Sequence, residues 1–199
     1  MPRNGRSGGI SAREGKPAPF ASLSGRLPLR AAALVVACAL FGAAAPARST
    51  TYHDFAEDVT HLGDASTLLG VGLALGLSGD DYDKRTSAIY AEALVTSGAA
   101  TYALKRLTRK QRPDPQRHGG YAFPSAHAAG SFAAATVLAR RYPRHRSAYY
   151  VVAGLVAASR VELRAHDWVD VTAGAALGIY AGKRATVTER GIIIGRITW

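Results

Sequence analysis

An all-α domain is the fold class this sequence predicts, and three observations carry it. Long runs rich in Ala, Leu and Gly recur at lengths suited to helices. Val, Ile and Thr nowhere alternate with polar residues except near the C-terminus, so no strand pattern competes. No internal repeat is evident, and 199 residues suit one domain with a proper core.

The first 47 residues form a separate regime. Arg3, Arg6, Arg13, Lys16, Arg26 and Arg30 precede the uncharged run Ala31 to Ala47, which closes on Ala45-Pro46-Ala47, a small-x-small cleavage pattern. Residues 1–47 therefore read as an export signal or, uncleaved, as an N-terminal membrane anchor, and 48–199 as the functional domain. Val35-Val36-Ala37-Cys38 has the look of a lipoprotein processing site, but the apolar run continues past Cys38 and makes that the weaker reading. Cleavage after Ala47 removes the only cysteine, which suits an oxidising compartment such as the periplasm and excludes cysteine nucleophiles and Cys-based zinc sites. It also removes six basic residues and Glu14, lowering the net charge from +11 to +6, still basic and suited to anionic partners.

Thr51 to His61, with Asp54, Glu57 and Asp58, reads as a short amphipathic lead-in. Asp64 is placed to cap an uncharged helix over Ala65 to Gly79. Thr86 to Lys105 follows, interrupted by Glu92, then His127 to Ala139, Ser147 to Ala158 and Val171 to Gly182: five helices after the leader. Each uncharged run falls short of the ~20 residues that span a bilayer, though flanking polar residues can lengthen it, so periplasmic, inner-membrane-associated and embedded placements all stay open. Gly174, Gly178 and Gly182 recur every four residues and make a smooth helix face for a close neighbour, as do Gly72 and Gly76. Gly191 to Trp199, with Ile192-Ile193-Ile194, suggests a short strand or extended arm.

Chemistry concentrates in three places. Ser159 to Asp170 lies wedged between two apolar helices, and if helix has begun by Asp167, His166 and Asp170 share a face, so that the carboxylate fixes one imidazole nitrogen and leaves the other free to attack. The plainer reading has Asp167 or Asp170 capping a helix and Arg160 paired with Glu162. Lys105 to Arg117 gathers Lys105, Arg106, Arg109, Lys110, Arg112 and Arg117, with Lys105 and Arg112 two helical turns apart and Arg112 stiffened by Pro113. A solvated charged face or a nucleic-acid patch is the alternative. Pro124-Ser125-Ala126-His127 opens an Ala-rich helix whose free N–H groups favour an anion, with Ser125 as a further donor and His127 as a proton source; a plain Ser N-cap is the alternative.

Taken together, Lys105 with six residues before Arg112-Pro113, then Pro124-Ser125-Ala126-His127, then Ser159-Arg160 with five residues before His166 and three before Asp170, resembles the three-part signature of the phosphatidic acid phosphatase type 2 and vanadium haloperoxidase superfamily. The one departure is Ala126, where that family usually has glycine. The resemblance implies an all-α helical bundle of that type, in which Lys105, Arg112 and Arg160 hold phosphate oxygens with Ser125 and the Ala126 amide. It further implies that His166 attacks phosphorus, Asp170 orients it and His127 protonates the leaving alkoxide. The expected activity is metal- and cofactor-independent hydrolysis, outside the cytoplasm, of a phosphate monoester or diphosphate, of a lipid or a small ester, by a protein that meets an anionic membrane surface and no nucleic acid. A vanadate-dependent haloperoxidase on the same fold and a non-catalytic basic protein that binds lipid or nucleic acid are the alternatives. The second leaves Ser125, His127, His166 and Asp170 without a reason. His118, His127, His145 and His166 show no His-x-x-x-His spacing, which makes zinc the weaker reading.

Overall fold

A computed structural model describes residues 52–77, 80–188 and 191–192. Its helices are α1 (Tyr52–Thr60), α2 (Ala65–Leu77), α3 (Asp81–Thr108), α4 (Ala126–Arg141), α5 (Arg146–Glu162) and α6 (Trp168–Arg184), with single 3-10 turns at His61–Gly63 and Pro143–His145. The five expected helices are present, and the acidic lead-in is a helix in its own right. The leader, including the run Ala31 to Ala47, lies outside the described residues, as does the expected end of the second helix at Gly79. Among the described residues no helix is long and apolar enough to cross a membrane.

Most bounds are wider than hydropathy suggests, because capping lets polar residues extend a helix. At the start of α3, Asp80 accepts a hydrogen bond from the Tyr82 N–H at 2.7 Å. Its far end carries Lys105 and Arg106, and Arg109 closes it in the left-handed region (φ 49°), donating its N–H to the Lys105 carbonyl. Glu92 does not interrupt this helix: its buried carboxylate accepts the Thr186 N–H at 3.1 Å, so the charge is partnered rather than stranded. Asp64 also departs from expectation. Its carbonyl accepts the Leu68 N–H as the helix begins, but its carboxylate turns away to His61 and His127.

The centre of the bundle is α4, which packs against α3, α5 and α6. Its inner surface is built from Ala128, Ala129, Ala133, Ala134 and Val137, all buried. Such short side chains allow a helix backbone to come very near, and α6 uses that with its glycine face. A Cβ at Gly174 would stand 2.5 Å from the Ser125 carbonyl oxygen, one at Gly178 2.2 Å from that of Ala129, and one at Gly182 2.6 Å from the Thr136 Cβ. Gly72 and Gly76 serve α2 against α3 more loosely, with Tyr90 and Ser87 at 3.1 and 3.2 Å. Below the site, Ala128, Ala157 and Val171 form a small cluster with Phe132 and Val161; a larger one joins Leu75, Tyr90, Val137, Leu138 and Tyr142. Each fully buried valine contributes about 1.5–3 kcal/mol.

At the opposite end Arg140 donates to the Gly182 and Lys183 carbonyls, satisfying the open end of α6. Two short antiparallel strands, β1 (Val187–Thr188) and β2 (Gly191–Ile192), pair Val187 with Ile192. The expected extended tail is therefore seen at its first two residues, and 193–199 lie outside the described residues.

Candidate active site

Three segments converge at one end of the bundle: the loop after α3, the start of α4, and the loop joining α5 to α6. Main-chain hydrogen bonds lock them together. The Ser125 N–H donates to the Asp170 carbonyl at 2.9 Å, and the Asp114 N–H to the Arg164 carbonyl at 3.2 Å. His118 Nε2 sits 2.9 Å from the Leu163 carbonyl, and Arg112 reaches the Ala165 carbonyl at 3.4 Å. Arg164, at φ 53°, turns the chain at the end of α5, and the His166 N–H returns to the Arg160 carbonyl. A non-glycine residue in that region costs roughly 1–2 kcal/mol, which the surrounding bonds must offset.

Lys105 and Arg112 lie close enough to repel one another, although they are not on one helix. The helix ends at Thr108, and Arg112 arrives from the loop; proximity is kept because Lys105 anchors that loop through the Tyr121 and Ala122 carbonyls at 2.6 and 3.1 Å. The charges feel one another. Burial, then Arg112 and Arg160, bring the Lys105 ammonium down to about 8 against the opposing pull of Asp170. Burial likewise lowers Arg112, and burial with Arg112 lowers Arg160. Arg160 donates to Thr60 Oγ1 at 2.8 Å rather than pairing with Glu162. Both buried guanidinium Nε atoms, of Arg112 and Arg160, lack a hydrogen-bond partner. Three crowded cations with donors left over form a site shaped for an oxyanion.

His166 is buried beside them. Burial first, then Arg112, Lys105 and Arg160, hold its imidazole far below the usual pKa, so it is neutral. Its Nδ1 lies 3.6 Å from Asp170 Oδ2, near but beyond hydrogen-bond reach, and has no other partner. The reason lies in the helix start. Asp167 is the N-cap, so His166 stands outside α6, while Asp170 is engaged elsewhere: its Oδ2 accepts the Asp167 N–H at 3.1 Å in a capping box, and its Oδ1 accepts Lys110 Nζ at 2.8 Å. Capping and facing the histidine, posed as alternatives in the sequence, are both done by this residue.

Ser125 is the N-cap of α4: its Oγ accepts the Ala128 N–H at 3.4 Å, leaving its O–H available to donate. Ala126, exposed, is the first residue of that helix; among the described residues only Arg109 and Arg164 combine a side chain with positive φ, so its methyl meets no backbone strain. His127 Nε2 lies 2.9 Å from Asp64 Oδ1. Burial and Arg160 lower the His127 pKa against the pull of Asp64. Burial raises that of Asp64, but the hydrogen bonds to His61 and His127 outweigh it and the net direction is down.

Sequence reasoning missed three supporting residues. Lys110 bonds Asp167 at 2.6 Å as well as Asp170, Asp64 holds His127, and Thr60 holds Arg160. Nothing local in the sequence points to these three roles, whereas the Asp-x-x-Asp spacing of Asp167 and Asp170 does signal the capping box. Among the described residues no three His, Cys, Asp or Glu side chains gather in a way that holds a metal ion.

Residues 86–190, which span all of these site residues except Asp64 and Thr60, match the family model of the PAP2 superfamily. The chain belongs to the PAP2 superfamily. Two solved structures share the fold. LpxE of Aquifex aeolicus superposes with a TM-score of 0.59 at 22% identity, covering 75% of this chain and 92% of that one. The first transmembrane PAP2 type phosphatidylglycerolphosphate phosphatase from Bacillus subtilis gives 0.59 at 26% identity, covering 78% of this chain and 88% of that one. Among curated proteins no match is found. In this PAP2 protein the motif residues thus come from four helix ends and from the loops that follow α3 and α5.

Proposed function

We propose that this PAP2 protein is a metal-independent phosphatase that hydrolyses a phosphate monoester or diphosphate, of a lipid, through a phosphohistidine intermediate outside the cytoplasm. The observation that carries the reading is the cluster of Lys105, Arg112 and Arg160 around a buried, neutral His166. The three cations, with Ser125 and the Ala126 amide, hold the phosphoryl oxygens and offset the charge that spreads over them. His166, neutral and so nucleophilic, attacks phosphorus in line; the developing imidazolium is stabilised by the Asp170 carboxylate as the 3.6 Å gap closes. His127 protonates the leaving alkoxide, with Asp64 raising its ability to carry that proton, and water then attacks the phosphohistidine.

A lipid substrate is supported by the Bacillus subtilis relative, a phosphatidylglycerolphosphate phosphatase, and by apolar side chains at the surface: Leu69, Leu73 and Leu77 on α2 and Val151 and Leu155 on α5 are exposed. Residues 1–47 act as export signal or anchor for a catalytic domain over 48–199, and the basic mature domain meets an anionic membrane surface. The test is release of inorganic phosphate from a panel in detergent: phosphatidate, phosphatidylglycerol phosphate, an isoprenyl diphosphate and para-nitrophenyl phosphate. Turnover of a lipid member above the soluble ester is expected. Absence of turnover on every member refutes the reading.

A further inference from the structure

His127, the proton donor of the proposed reaction, is held by a turn that none of the three motifs includes. Asp64 stands at the entry to α2, outside the residues that match the family model. Its carboxylate is fixed at both oxygens, with Oδ1 2.9 Å from His127 Nε2 and Oδ2 2.9 Å from His61 Nδ1. The turn beneath it is tied down as well: the His61 carbonyl accepts the Asp64 N–H at 3.2 Å and the Thr67 hydroxyl at 2.7 Å. Gly63 lets this turn come close, since a Cβ there would lie 2.5 Å from Val156 Cγ1 and 3.2 Å from His127 Cδ2. With Nε2 taken by Asp64, Nδ1 is the ring nitrogen left to pass a proton to substrate. The other neighbours oppose a charged ring. Arg160 on α5, Arg112 in the loop after α3 and His166 in the loop after α5 all face His127; burial, Arg160 and Arg112 lower its pKa, and Asp64 pulls the other way. Burial raises the pKa of Asp64 itself, but its bonds to both histidines outweigh that and keep it ionised.

We propose that Asp64 is a positioning residue that keeps His127 protonated with Nδ1 toward the leaving oxygen, which fits the site to phosphate monoesters of alcohols rather than to diphosphates. The inference rests on the phosphatase reading and narrows its substrate class. An alkoxide is a strong base and departs only as it gains a proton, whereas the phosphate released from a diphosphate is a stable anion at neutral pH. In the first step the bond from phosphorus to the leaving oxygen breaks as the bond to His166 forms, and the Nδ1 proton of His127 moves to that oxygen. In the second, water attacks the phosphohistidine and gives a proton back to His127. The cycle closes without an outside donor. A carboxylate that holds the charge on His127 therefore speeds the first step where the leaving group needs the proton, and little elsewhere.

The experiment compares kcat/KM of the wild type, Asp64→Asn and His61→Ala on diacylglycerol phosphate, diacylglycerol diphosphate and para-nitrophenyl phosphate in detergent. This ratio reports formation of the phosphohistidine, so the water step common to all three does not enter. Asp64→Asn should lose about tenfold more on diacylglycerol phosphate than on the other two, whose leaving groups are stable anions. His61→Ala, at an exposed side chain, frees one carboxylate oxygen and should show the same order more weakly. On diacylglycerol phosphate, the pH above which kcat/KM falls should move down by about 1 unit in Asp64→Asn, because the charge that favours the imidazolium is gone. Substrate ionisation is the same for both proteins and cancels in that comparison. Equal losses on all three substrates, an unmoved pH profile, or a wild type that turns over the diphosphate and the aryl ester but not diacylglycerol phosphate would each overturn the inference while leaving the phosphatase reading intact. A wild type that turns over none of the three sinks that reading, and the inference with it.

Discussion

Gly178→Ala tests whether the site is held together by the close approach of α4 and α6. The added Cβ would lie 2.2 Å from the Ala129 carbonyl oxygen and 2.8 Å from the Ala133 nitrogen, both backbone atoms that cannot rotate away. Carbon meets a carbonyl oxygen at about 3.3 Å or more, so the helices must part by on the order of 1 Å. Overpacking of this kind costs about 1–3 kcal/mol, here at the upper end, and for a chain of this size should lower Tm by roughly 6–12 °C. The same displacement separates Ser125 and His127 at the start of α4 from Asp170 at the start of α6, where the Ser125 N–H bonds the Asp170 carbonyl. A misplacement of about 1 Å between reacting groups costs on the order of 100-fold in kcat. The assay pairs thermal melting with phosphate release, with Gly98→Ala as control: no atom lies within 4 Å of its added Cβ, and the gain in helix propensity should raise stability by about 0.4–1 kcal/mol. A Gly178→Ala protein that keeps both Tm and kcat within twofold would refute this account of the packing.

Other expectations are shorter. His166→Ala should abolish turnover and Asp170→Asn leave a slow enzyme, measured as phosphate release; near-normal activity in His166→Ala removes the nucleophile assignment. Lys110→Met should cost about 2–3 kcal/mol by denaturant titration, mostly through the fully buried Asp170, since the Lys110 and Asp167 side chains are 36% and 45% exposed and their pair is screened. The folded-state pKa of His166 lies below its unfolded value of about 6.5, so its contribution to stability is complete above that pH and is lost as pH falls, by at most about 1.4 kcal/mol per unit; His166→Asn should flatten the decline in Tm between pH 7 and 5. EDTA should leave activity intact and orthovanadate should inhibit; loss in EDTA restored by zinc or magnesium would show that the three cations are not the charge that drives the reaction.

Five of the six helices, the motif residues and the glycine face were legible in the sequence because each is a local property; the short acidic helix Tyr52–Thr60 reads only as an amphipathic lead-in. Periodicity over a few turns marks a helix, Pro113 and Pro115 forbid its continuation, and Gly174, Gly178 and Gly182 repeat on one side whatever they meet. Helix ends were less legible, since Asp80, Ser125 and Asp167 extend helices past the point where hydropathy stops. Tertiary structure alone decided that the glycine face meets α4, that Lys105 anchors the loop after α3 through the Tyr121 and Ala122 carbonyls, and that Lys110, Asp64 and Thr60 support Asp170, His127 and Arg160 across 60, 63 and 100 residues. It also decided the state of His166. Spacing placed a carboxylate near the ring, but the proton balance depends on burial and on Arg112 and Lys105, brought in from the segment at the end of α3, together with Arg160 of the same stretch, and Coulomb interactions follow distance in space, which the order of residues along the chain does not specify.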